Sequence, residues 1–343
     1  MKRRQFILSL CGTAALGWSG WKLADPRGQG LQKVTRRHWA LGAEVALTVY
    51  HDDVGAAEAA LESALAELES VEAAMSLFRP TSDLARLNAA GTLEAPDPSL
   101  REVLEHALAL SARTDGAFDP TVQPLWEVYA NAHESDSLPD DAALAAAVGR
   151  VDWRAVQVRP DRITLGKPGM ALTLNGIAQG YAADRVRRRL AASGIRHALL
   201  DTGEISTVGG RSDTDAWSIG IKHPRVPGDL LGLAALEGRS LATSGDYETR
   251  FSPDFLHHHL LDPRTGRCAG ELASVSLAAP TAMEADALST AVFVLGLERG
   301  RQLVAETAGA DALFVTKDGD LFQTDGFPFR SEAGAVKRLS DHA

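Results

Sequence analysis

Residues 274–295 read SVSLAAPTAMEADALSTAVFVL, and this stretch joins a strand pattern to a helix pattern. Its first five residues predict a short strand. Thr281 stands three residues before Glu284, which is the spacing of a capping box. A helix should therefore begin at Thr281 and run to Leu295, with Gly296 at its end.

Outward from this stretch, helices and short strands follow one another without regular alternation. Helices are predicted after the cap Asp52-Asp53, from the cap Asp97-Pro98, over 139–148 and over about 179–193. The predicted strands are Gly42–Tyr50, Val156–Val158, Ile163–Leu165, Ala171–Leu174, Ala198–Leu200, Trp217–Lys222, Leu231–Leu236, Ala312–Thr316 and Leu321–Gln323, the last two forming a hairpin. This irregular order predicts an α+β fold rather than a doubly wound parallel sheet.

The composition is that of a globular protein with an acidic balance. The chain has 343 residues, with 35 Lys and Arg against 45 Asp and Glu, which gives a net charge of −10. This composition excludes a disordered or fibrous chain, and the acidity argues against a nucleic-acid-binding surface. The only cysteines, Cys11 and Cys268, cannot form a disulfide framework.

The N-terminal 24 residues have a basic tip followed by a short apolar run, as secretory leaders do. Arg3-Arg4 and the apolar residues after them resemble the twin-arginine export pattern. We therefore expect a periplasmic protein. An ordinary secretory leader and an uncleaved anchor, which would leave the protein membrane-associated, are the alternatives. The remaining chain divides into a linker, one body and a C-terminal tail, at residues 25–37, 38–330 and 331–343.

Asp286 and Thr290 lie four residues apart, so they should project from the same face of the predicted helix. A carboxylate and a hydroxyl are hard oxygen ligands that suit Mg²⁺. The alternative is a polar stripe on a solvated helix. Because the residues around Asp286 are almost all apolar, we expect this carboxylate to be buried and to need a partner.

Two further segments carry chemistry-bearing residues. Residues 173–181 should form a strand-to-helix turn with Asn175 as the N-cap, and such a turn presents backbone N–H groups to an anion. His257, His258 and His259 cannot all converge on one zinc ion, because consecutive side chains on a strand alternate between its faces. An imidazole with a pKa near neutrality is instead suited to act as a general base.

Taken in order, six blocks of the chain resemble the ApbE family, the FAD:protein FMN transferases. The resemblance covers residues 38 to 325 and implies a T-fold-like body of mixed and antiparallel sheets packed with helices, in two intimately associated subdomains. Residues 172–180 and the twin-arginine leader are similar to a NosX-like branch associated with nitrous-oxide respiration. The six blocks are Ser76–Asn88, Gly116–Thr121, Asn175–Asp184, Ala242–Tyr247, His259–Gly266 and Pro280–Thr290.

The resemblance implies an activity and assigns residues to it. Family members cleave FAD and attach FMN through a phosphoester to a Thr or Ser of a partner protein, releasing AMP. The Mg²⁺ ligands would fall on Asp286, Thr290 and the carbonyl of Gly176, and the histidine that activates the acceptor hydroxyl would be His259. The flavin contacts would fall on Leu41, Phe78, Ala117, Phe118, Asp119, Thr173, Gln179 and Leu261.

Four of these positions depart from the family pattern, which commonly has Met, Tyr, Asp and Lys where this chain has Leu41, Phe78, Thr173 and Gln179. The implied partners are FAD and an exported or membrane electron-transfer protein, such as a flavoprotein of nitrous-oxide respiration. Two other functions stay open at this point. One is a Mg²⁺-dependent FAD pyrophosphatase that yields free FMN and AMP, and the other is a non-catalytic flavin-binding assembly protein.

Overall fold

A computed structural model of the chain describes residues 30–331 and 337–339. The predicted leader lies outside these residues. The described part contains seven α-helices and seventeen strands. The helices are α1 (Val54–Met75), α2 (Asp83–Ala90), α3 (Pro98–Arg113), α4 (Gln123–His133), α5 (Asp141–Val148), α6 (Ala178–Ala192) and α7 (Ala282–Ala305).

The strands form one large sheet and three small ones. The strands are β1 (Gln32–Ala40), β2 (Ala43–His51), β3 (Thr92–Glu94), β4 (Val156–Val158), β5 (Arg162–Leu165), β6 (His197–Asp201), β7 (Ile205–Val208), β8 (Trp217–Lys222), β9 (Leu230–Leu236), β10 (Ser240–Gly245), β11 (Leu261–Asp262), β12 (Arg267–Cys268), β13 (Leu272–Ala279), β14 (Asp311–Thr316), β15 (Leu321–Thr324), β16 (Phe329–Ser331) and β17 (Lys337–Leu339).

The large sheet has the order β1-β2-β6-β7-β10-β13-β14-β15-β17, and its pairs are antiparallel except for β15 with β17. The small sheets are β16-β9-β8, β3-β5-β4 and β11-β12. The α+β expectation is therefore confirmed.

The long helices α1, α6 and α7 pack side by side, and α7 lies directly on β10 and β13. Every residue of β13 is buried, so this strand has apolar neighbours on both faces and reads as a continuous apolar run. The main core fills the space between these helices and the sheet, and a smaller core joins the large sheet to β8, β9 and β16. The centre of the sheet and helix α7 thus provide a rigid base for the residues between them.

Most predicted elements are found within a few residues of their expected ends. Asp53 and Asp97 cap α1 and α3, Trp217–Lys222 is β8, and β14 and β15 form the closing hairpin. The sequence patterns did not predict the short helices α2 and α4.

Four predictions are wrong in part. Ala171–Leu174 is not a strand, because the side-chain amide of Asn88 takes both backbone groups of Leu172 in place of a neighbouring strand. Residues 32–37 of the predicted linker belong to β1, which pairs along its whole length with β2. Within the predicted C-terminal tail, residues 337–339 form β17.

The fourth correction concerns the end of the helix that begins after Thr281. Gly296 interrupts the helix with φ 79° and ψ −175°, but the chain then resumes a helical course to Ala305. The glycine marks a kink, and a second helical segment follows it. Among the described residues, no helix is both long and apolar enough to cross a membrane.

Candidate active site

Helices α6 and α7 cap each other through two buried carboxylates. Asp184 in α6 accepts the backbone N–H groups of Ala282 and Met283, the first two residues of α7, at 3.0 and 2.9 Å. In return, Asp286 in α7 accepts the N–H of Gly180, in the first turn of α6, at 3.0 Å. Each carboxylate thereby satisfies free donors at the other helix's positive end. This exchange fixes the relative position of the two helices.

This arrangement corrects the predicted cap of α6. The helix begins at Ala178 after Ile177, without a side-chain cap from its own chain segment, and Asn175 is exposed in the preceding turn. The backbone N–H groups of Ile177 and Ala178 both donate to the carbonyl of Leu174, so the turn extends past Asn175. The helix therefore begins too far along the chain for Asn175 to be its N-cap. The acceptor instead comes from Asp286, 106 residues further along the chain.

The two helices approach each other closely at Gly180. A Cβ atom placed on this glycine would lie 2.2 Å from the carbonyl oxygen of Ala282, a distance at which the backbones would have to separate. Gly180 therefore permits the contact that lets Asp184 and Asp286 reach their partners. Glycine is needed here because there is no room for a side chain, and not because of an unusual backbone conformation, since Gly180 lies in a regular helix.

The predicted metal ligands come together at this junction. Asp286 is buried, and a Cβ atom on Gly176 would lie 3.0 Å from Thr290 Oγ1, so the turn before α6 faces the hydroxyl. Ser289 Oγ donates to the backbone carbonyl of Asp286 at 2.9 Å and lies 2.8 Å from Ser244 Oγ of β10. Ser244 Oγ lies 3.4 Å from Thr290 Oγ1. A small polar layer thus surrounds the carboxylate and hydroxyl pair.

The electrostatics of this layer favour a cation. Burial raises the pKa of Asp286 to about 7, although the N–H of Gly180 partly offsets the effect. Burial also raises the pKa of Glu204 well above its ordinary value, and the negative charges of Asp286 and Asp201 add to the effect. In the described part of the chain, no Lys or Arg forms an ion pair with Asp286. A bound divalent cation would supply the missing positive charge.

The donor set fits Mg²⁺ rather than zinc. Across residues 30–331, no three His, Cys, Asp or Glu side chains converge in a metal-binding geometry. The available donors are the carboxylate of Asp286, the hydroxyl of Thr290 and the backbone of Gly176, all of them hard oxygens. Mg²⁺ is commonly held by one or two carboxylates, and water and substrate phosphates complete its shell.

Two of the blocks that carry predicted flavin contacts meet beside this layer. The N–H of Thr173 donates to the carbonyl of Pro120 at 2.8 Å, which joins the turn before α6 to the segment after Asp119. The carboxylate of Asp119 is buried and accepts from the N–H and hydroxyl of Thr121 and from the N–H of Trp153. Its hydrogen bonds therefore hold the segment together. Ala117 and Phe118 are also buried.

The other predicted flavin contacts are spread over several segments. Leu41 lies in the β1–β2 turn with φ 55°, and Phe78 is half exposed in the loop after α1. The side-chain amide of Gln179 lies against Gly203, where a Cβ atom would be 2.9 Å from its nitrogen. Leu261 is buried in a satellite cluster with residues of α4 and α5. Contacts of these residues with a flavin stay a prediction.

The three consecutive histidines have different environments, although they do not lie on a strand as expected, since only His258 forms an isolated bridge, with Arg250. His258 is fully buried, and its ring packs edge-on against Phe293 with 5.7 Å between ring centroids. Its Nδ1 accepts from the N–H of Leu260, and its Nε2 lies 3.0 Å from the carbonyl of Ala269. Burial is the main reason that the pKa of His258 falls to about 3. His258 is therefore a neutral packing residue.

His259 has the arrangement of a general base. Its Nδ1 lies 3.3 Å from the carbonyl oxygen of Thr249, which can only accept, so Nδ1 carries the proton and Nε2 keeps its lone pair. Burial lowers the pKa of His259, and the Thr249 carbonyl and the charges of Glu248 and Asp246 partly oppose this effect. The imidazole is consequently neutral near pH 7.

His259 and the Asp286 layer are connected through one segment of the chain. Strand β10 carries Ser244, which contacts Thr290, and the hairpin that leads to His259 begins directly after that strand. No hydrogen bond within the described residues joins His259 to Asp286 or Thr290. Strand β10 and the residues that follow it therefore link His259 to the predicted cation ligands along the chain.

The sequence patterns missed the residues that hold this site in place. Asp184 and Gly180 act through contacts with residues about 100 positions away, and their local sequence resembles any helix start. The Thr281–Glu284 spacing was a local signal of the start of α7, and it is confirmed because Thr281 Oγ1 accepts the N–H of Glu284 at 3.2 Å. No sequence pattern indicated a role for Glu204, in the β6–β7 turn.

The fold and the polar layer between α6 and α7 define a class of α+β enzymes, and comparison with known proteins identifies it. The profile of the ApbE family matches residues 41–314, and the chain belongs to this family. A Treponema pallidum protein named FAD:protein FMN transferase is 34% identical over 355 residues, which cover 97% of this chain and 93% of that protein. A Klebsiella pneumoniae protein of the same name is 32% identical, covering 82% and 88%.

Solved structures support the same assignment. The ApbE protein of Thermotoga maritima superposes with a TM-score of 0.77 at 30% identity, covering 84% of this chain and 96% of that one. The flavin transferase ApbE of Vibrio cholerae gives a TM-score of 0.76 at 26% identity, covering 88% and 100%. The ApbE-like fold expected from the sequence is therefore confirmed.

Proposed function

We propose that this chain is an FAD:protein FMN transferase that depends on Mg²⁺ and modifies a Thr or Ser of a partner protein. The main support is the polar layer of Asp286, Thr290 and Gly176, in which Asp286 is buried without a protein cation and all three residues offer hard oxygen ligands. Family membership and the names of the relatives supply the substrate, FAD, and the kind of acceptor, a protein.

The proposed reaction exchanges one phosphate bond for another. The acceptor hydroxyl oxygen attacks the phosphorus on the FMN side of the FAD pyrophosphate, the bond from this phosphorus to the bridging oxygen breaks, and AMP leaves. The hydroxyl proton passes to Nε2 of His259, which is free because Nδ1 donates to the Thr249 carbonyl. The product is FMN joined to the acceptor side chain by a phosphoester.

The cation-binding residues would act on the pyrophosphate. Asp286, Thr290 and the backbone carbonyl of Gly176 would hold the cation at the start of α6, where the helix dipole also favours the anionic pyrophosphate. Bound Mg²⁺ supplies neutralisation of the pyrophosphate and of the charge that develops during transfer. The chain's own task is to place the acceptor hydroxyl opposite the AMP leaving group, on the other side of the reacting phosphorus of FAD.

We further propose that the enzyme acts in the periplasm. The support is the leader pattern of residues 1–24, with Arg3-Arg4 before an apolar run. The acceptor would then be an exported or membrane electron-transfer protein, and the resemblance to the NosX-like branch favours a flavoprotein of nitrous-oxide respiration.

The decisive experiment follows both products of the reaction. The purified chain is incubated with FAD, Mg²⁺ and a flavin-free exported electron-transfer protein from the same organism, and intact mass and released AMP are measured. Transfer predicts that the acceptor gains the mass of FMN less one water, with an equal amount of AMP. AMP and free FMN without a mass gain would establish the pyrophosphatase function instead. FAD binding without AMP would establish the assembly function.

Two variants separate the roles of the cation and the base. Asp286→Asn should abolish transfer and calorimetric Mg²⁺ binding, while its amide oxygen still accepts the N–H of Gly180 and keeps the fold. His259→Ala should slow transfer about 10²–10⁴-fold and leave FAD and Mg²⁺ binding intact. If His259→Ala transferred FMN at the wild-type rate, His259 would not be the general base. If Asp286→Asn bound Mg²⁺ as the wild type does, Asp286 would not be a ligand of the cation.

A further inference from the structure

Phe255 lies at the tip of the hairpin that carries His259, in an unfavourable backbone conformation. The hairpin runs from Thr249 to His259, and its arms are joined by an isolated bridge between Arg250 and His258. Phe255 has φ 61°, in the left-handed region that suits glycine and not a bulky aromatic residue. Such a residue persists only where its surroundings hold it firmly, and these positions concentrate at functional sites.

The surroundings of Phe255 hold both its ring and its backbone. The guanidinium groups of Arg225 and Arg250 lie over the ring, 4.3 and 4.8 Å from its centroid. The ammonium group of Lys317 donates to its carbonyl oxygen at 2.6 Å. Three cations from three different loops therefore meet at one aromatic residue.

Two of these three cations, Arg225 and Lys317, are fixed by a buried carboxylate at the other end of the segment. Arg225 binds both oxygens of Asp246 in a two-pronged pair, at 2.7 and 2.8 Å, and Lys317 lies 3.5 Å from one of them. Asp246 is fully buried, directly after β10, and its N–H donates to the carbonyl of Ala273 in β13. A buried, two-pronged arginine pair is much more directional than an exposed one.

Asp246 and Phe255 thus enclose the segment that contains Thr249. His258 holds the other arm of the hairpin in the core through its contacts with Phe293 and Ala269. The arm with Thr249 has its two ends fixed at Asp246 and Phe255. The carbonyl of Thr249 orients the His259 ring, so the position of this arm sets the direction in which Nε2 points.

We propose that Phe255, together with Arg225, Lys317 and Asp246, is a positioning device for His259. We call these four residues the Phe255 anchor. The inference rests on the proposed function, because it assumes that His259 is the base for transfer. The anchor contributes no group to the reaction, and it acts by keeping the Thr249 carbonyl where the imidazole needs it.

The test compares two substitutions at Phe255 with one at its neighbour. Phe255→Leu removes the stacking surface for both arginines, Phe255→Trp keeps it, and Leu256→Ala changes an adjacent exposed side chain outside the anchor. Single-turnover transfer of FMN to the same electron-transfer protein is measured with FAD affinity, Mg²⁺ affinity and melting temperature. We expect Phe255→Leu to lower the single-turnover transfer rate about 10- to 100-fold without changing the affinity for FAD. Phe255→Trp and Leu256→Ala should transfer at near wild-type rates.

A double-mutant cycle with His259→Ala shows whether the anchor acts through the histidine. If it does, adding Phe255→Leu to His259→Ala should cause no further loss of rate. An equal loss in both backgrounds would overturn the proposal, as would wild-type transfer by Phe255→Leu or a loss that comes with weakened FAD binding or a lower melting temperature. Failure of the base assignment is recognised separately, because His259→Ala alone would then transfer at the wild-type rate.

Discussion

The junction of α6 and α7 and the hairpin that carries His259 hold their functional residues by different physical means. At the junction, two regular helices meet at Gly180, and backbone N–H groups meet buried carboxylates. In the hairpin the backbone is irregular, and charged side chains from distant loops fix its tip. The cation ligands therefore depend on close helix packing, whereas the proposed base depends on ion pairs and stacking. This difference predicts which changes each region tolerates.

The largest effect is expected where the helices touch. Gly180→Ala would place a methyl group 2.2 Å from the carbonyl oxygen of Ala282, so α6 and α7 must separate. We expect a loss of about 1–3 kcal/mol of stability and of measurable Mg²⁺ binding. Denaturant unfolding and calorimetry measure the two quantities. Gly270→Ala is the matched control, because no atom lies within 4 Å of its added Cβ. Equal effects of the two changes would show that the close approach is unimportant.

Removing one carboxylate of the reciprocal pair should have a smaller effect. Asp184→Asn keeps an oxygen that can accept from Ala282 but loses the charge at the start of α7. We expect a cost of about 1 kcal/mol and weaker Mg²⁺ binding, because the helix that carries Asp286 is less well held. Asp53→Asn, at the exposed cap of α1, should cost less and leave Mg²⁺ binding unchanged. If Asp184→Asn left Mg²⁺ binding unaltered, the cap that Asp184 provides would not be needed to hold the cation site.

The smallest expected effect is a displacement of the pH profile of transfer. Burial lowers the pKa of His259 below the ordinary histidine value of 6.5, so the imidazole loses its proton at a lower pH than a free histidine does. At saturating Mg²⁺, the transfer rate should fall as the pH drops, because protonation removes the base, and this acidic limb should be centred below pH 6.5. An acidic limb centred above pH 6.5 would contradict the lowered pKa of His259.

Glu248→Gln sharpens the pH prediction. The negative charge of Glu248 opposes the lowering of the His259 pKa, so its removal should move the acidic limb to still lower pH. The neighbouring Asp246 acts in the same direction but belongs to the Phe255 anchor, which makes Glu248 the cleaner change. A shift of the limb to higher pH would show that Glu248 does not act on His259 by its charge.

Local patterns predicted the elements whose signals lie within a few residues. The start of α7 follows from the Thr281–Glu284 spacing, and the four-residue separation of Asp286 and Thr290 follows from helical periodicity. Local patterns failed at Ala171–Leu174, where apolar alternation suggested a strand. There the amide of Asn88, more than 80 residues away, satisfies the backbone instead. An alternating pattern reports which side chains are buried but does not show which partner takes the backbone groups.

The sequence by itself determined the α+β class, the helix with Asp286 and Thr290, and the resemblance to the ApbE family. Only the tertiary structure decided that Asp286 caps α6, that Gly180 must lack a side chain, and that Asp246 and Phe255 enclose the arm that orients His259. The physical reason is that a cap, a close approach and a buried ion pair each join groups far apart in the chain. Short-range spacing carries no information about such partners until the core brings them together.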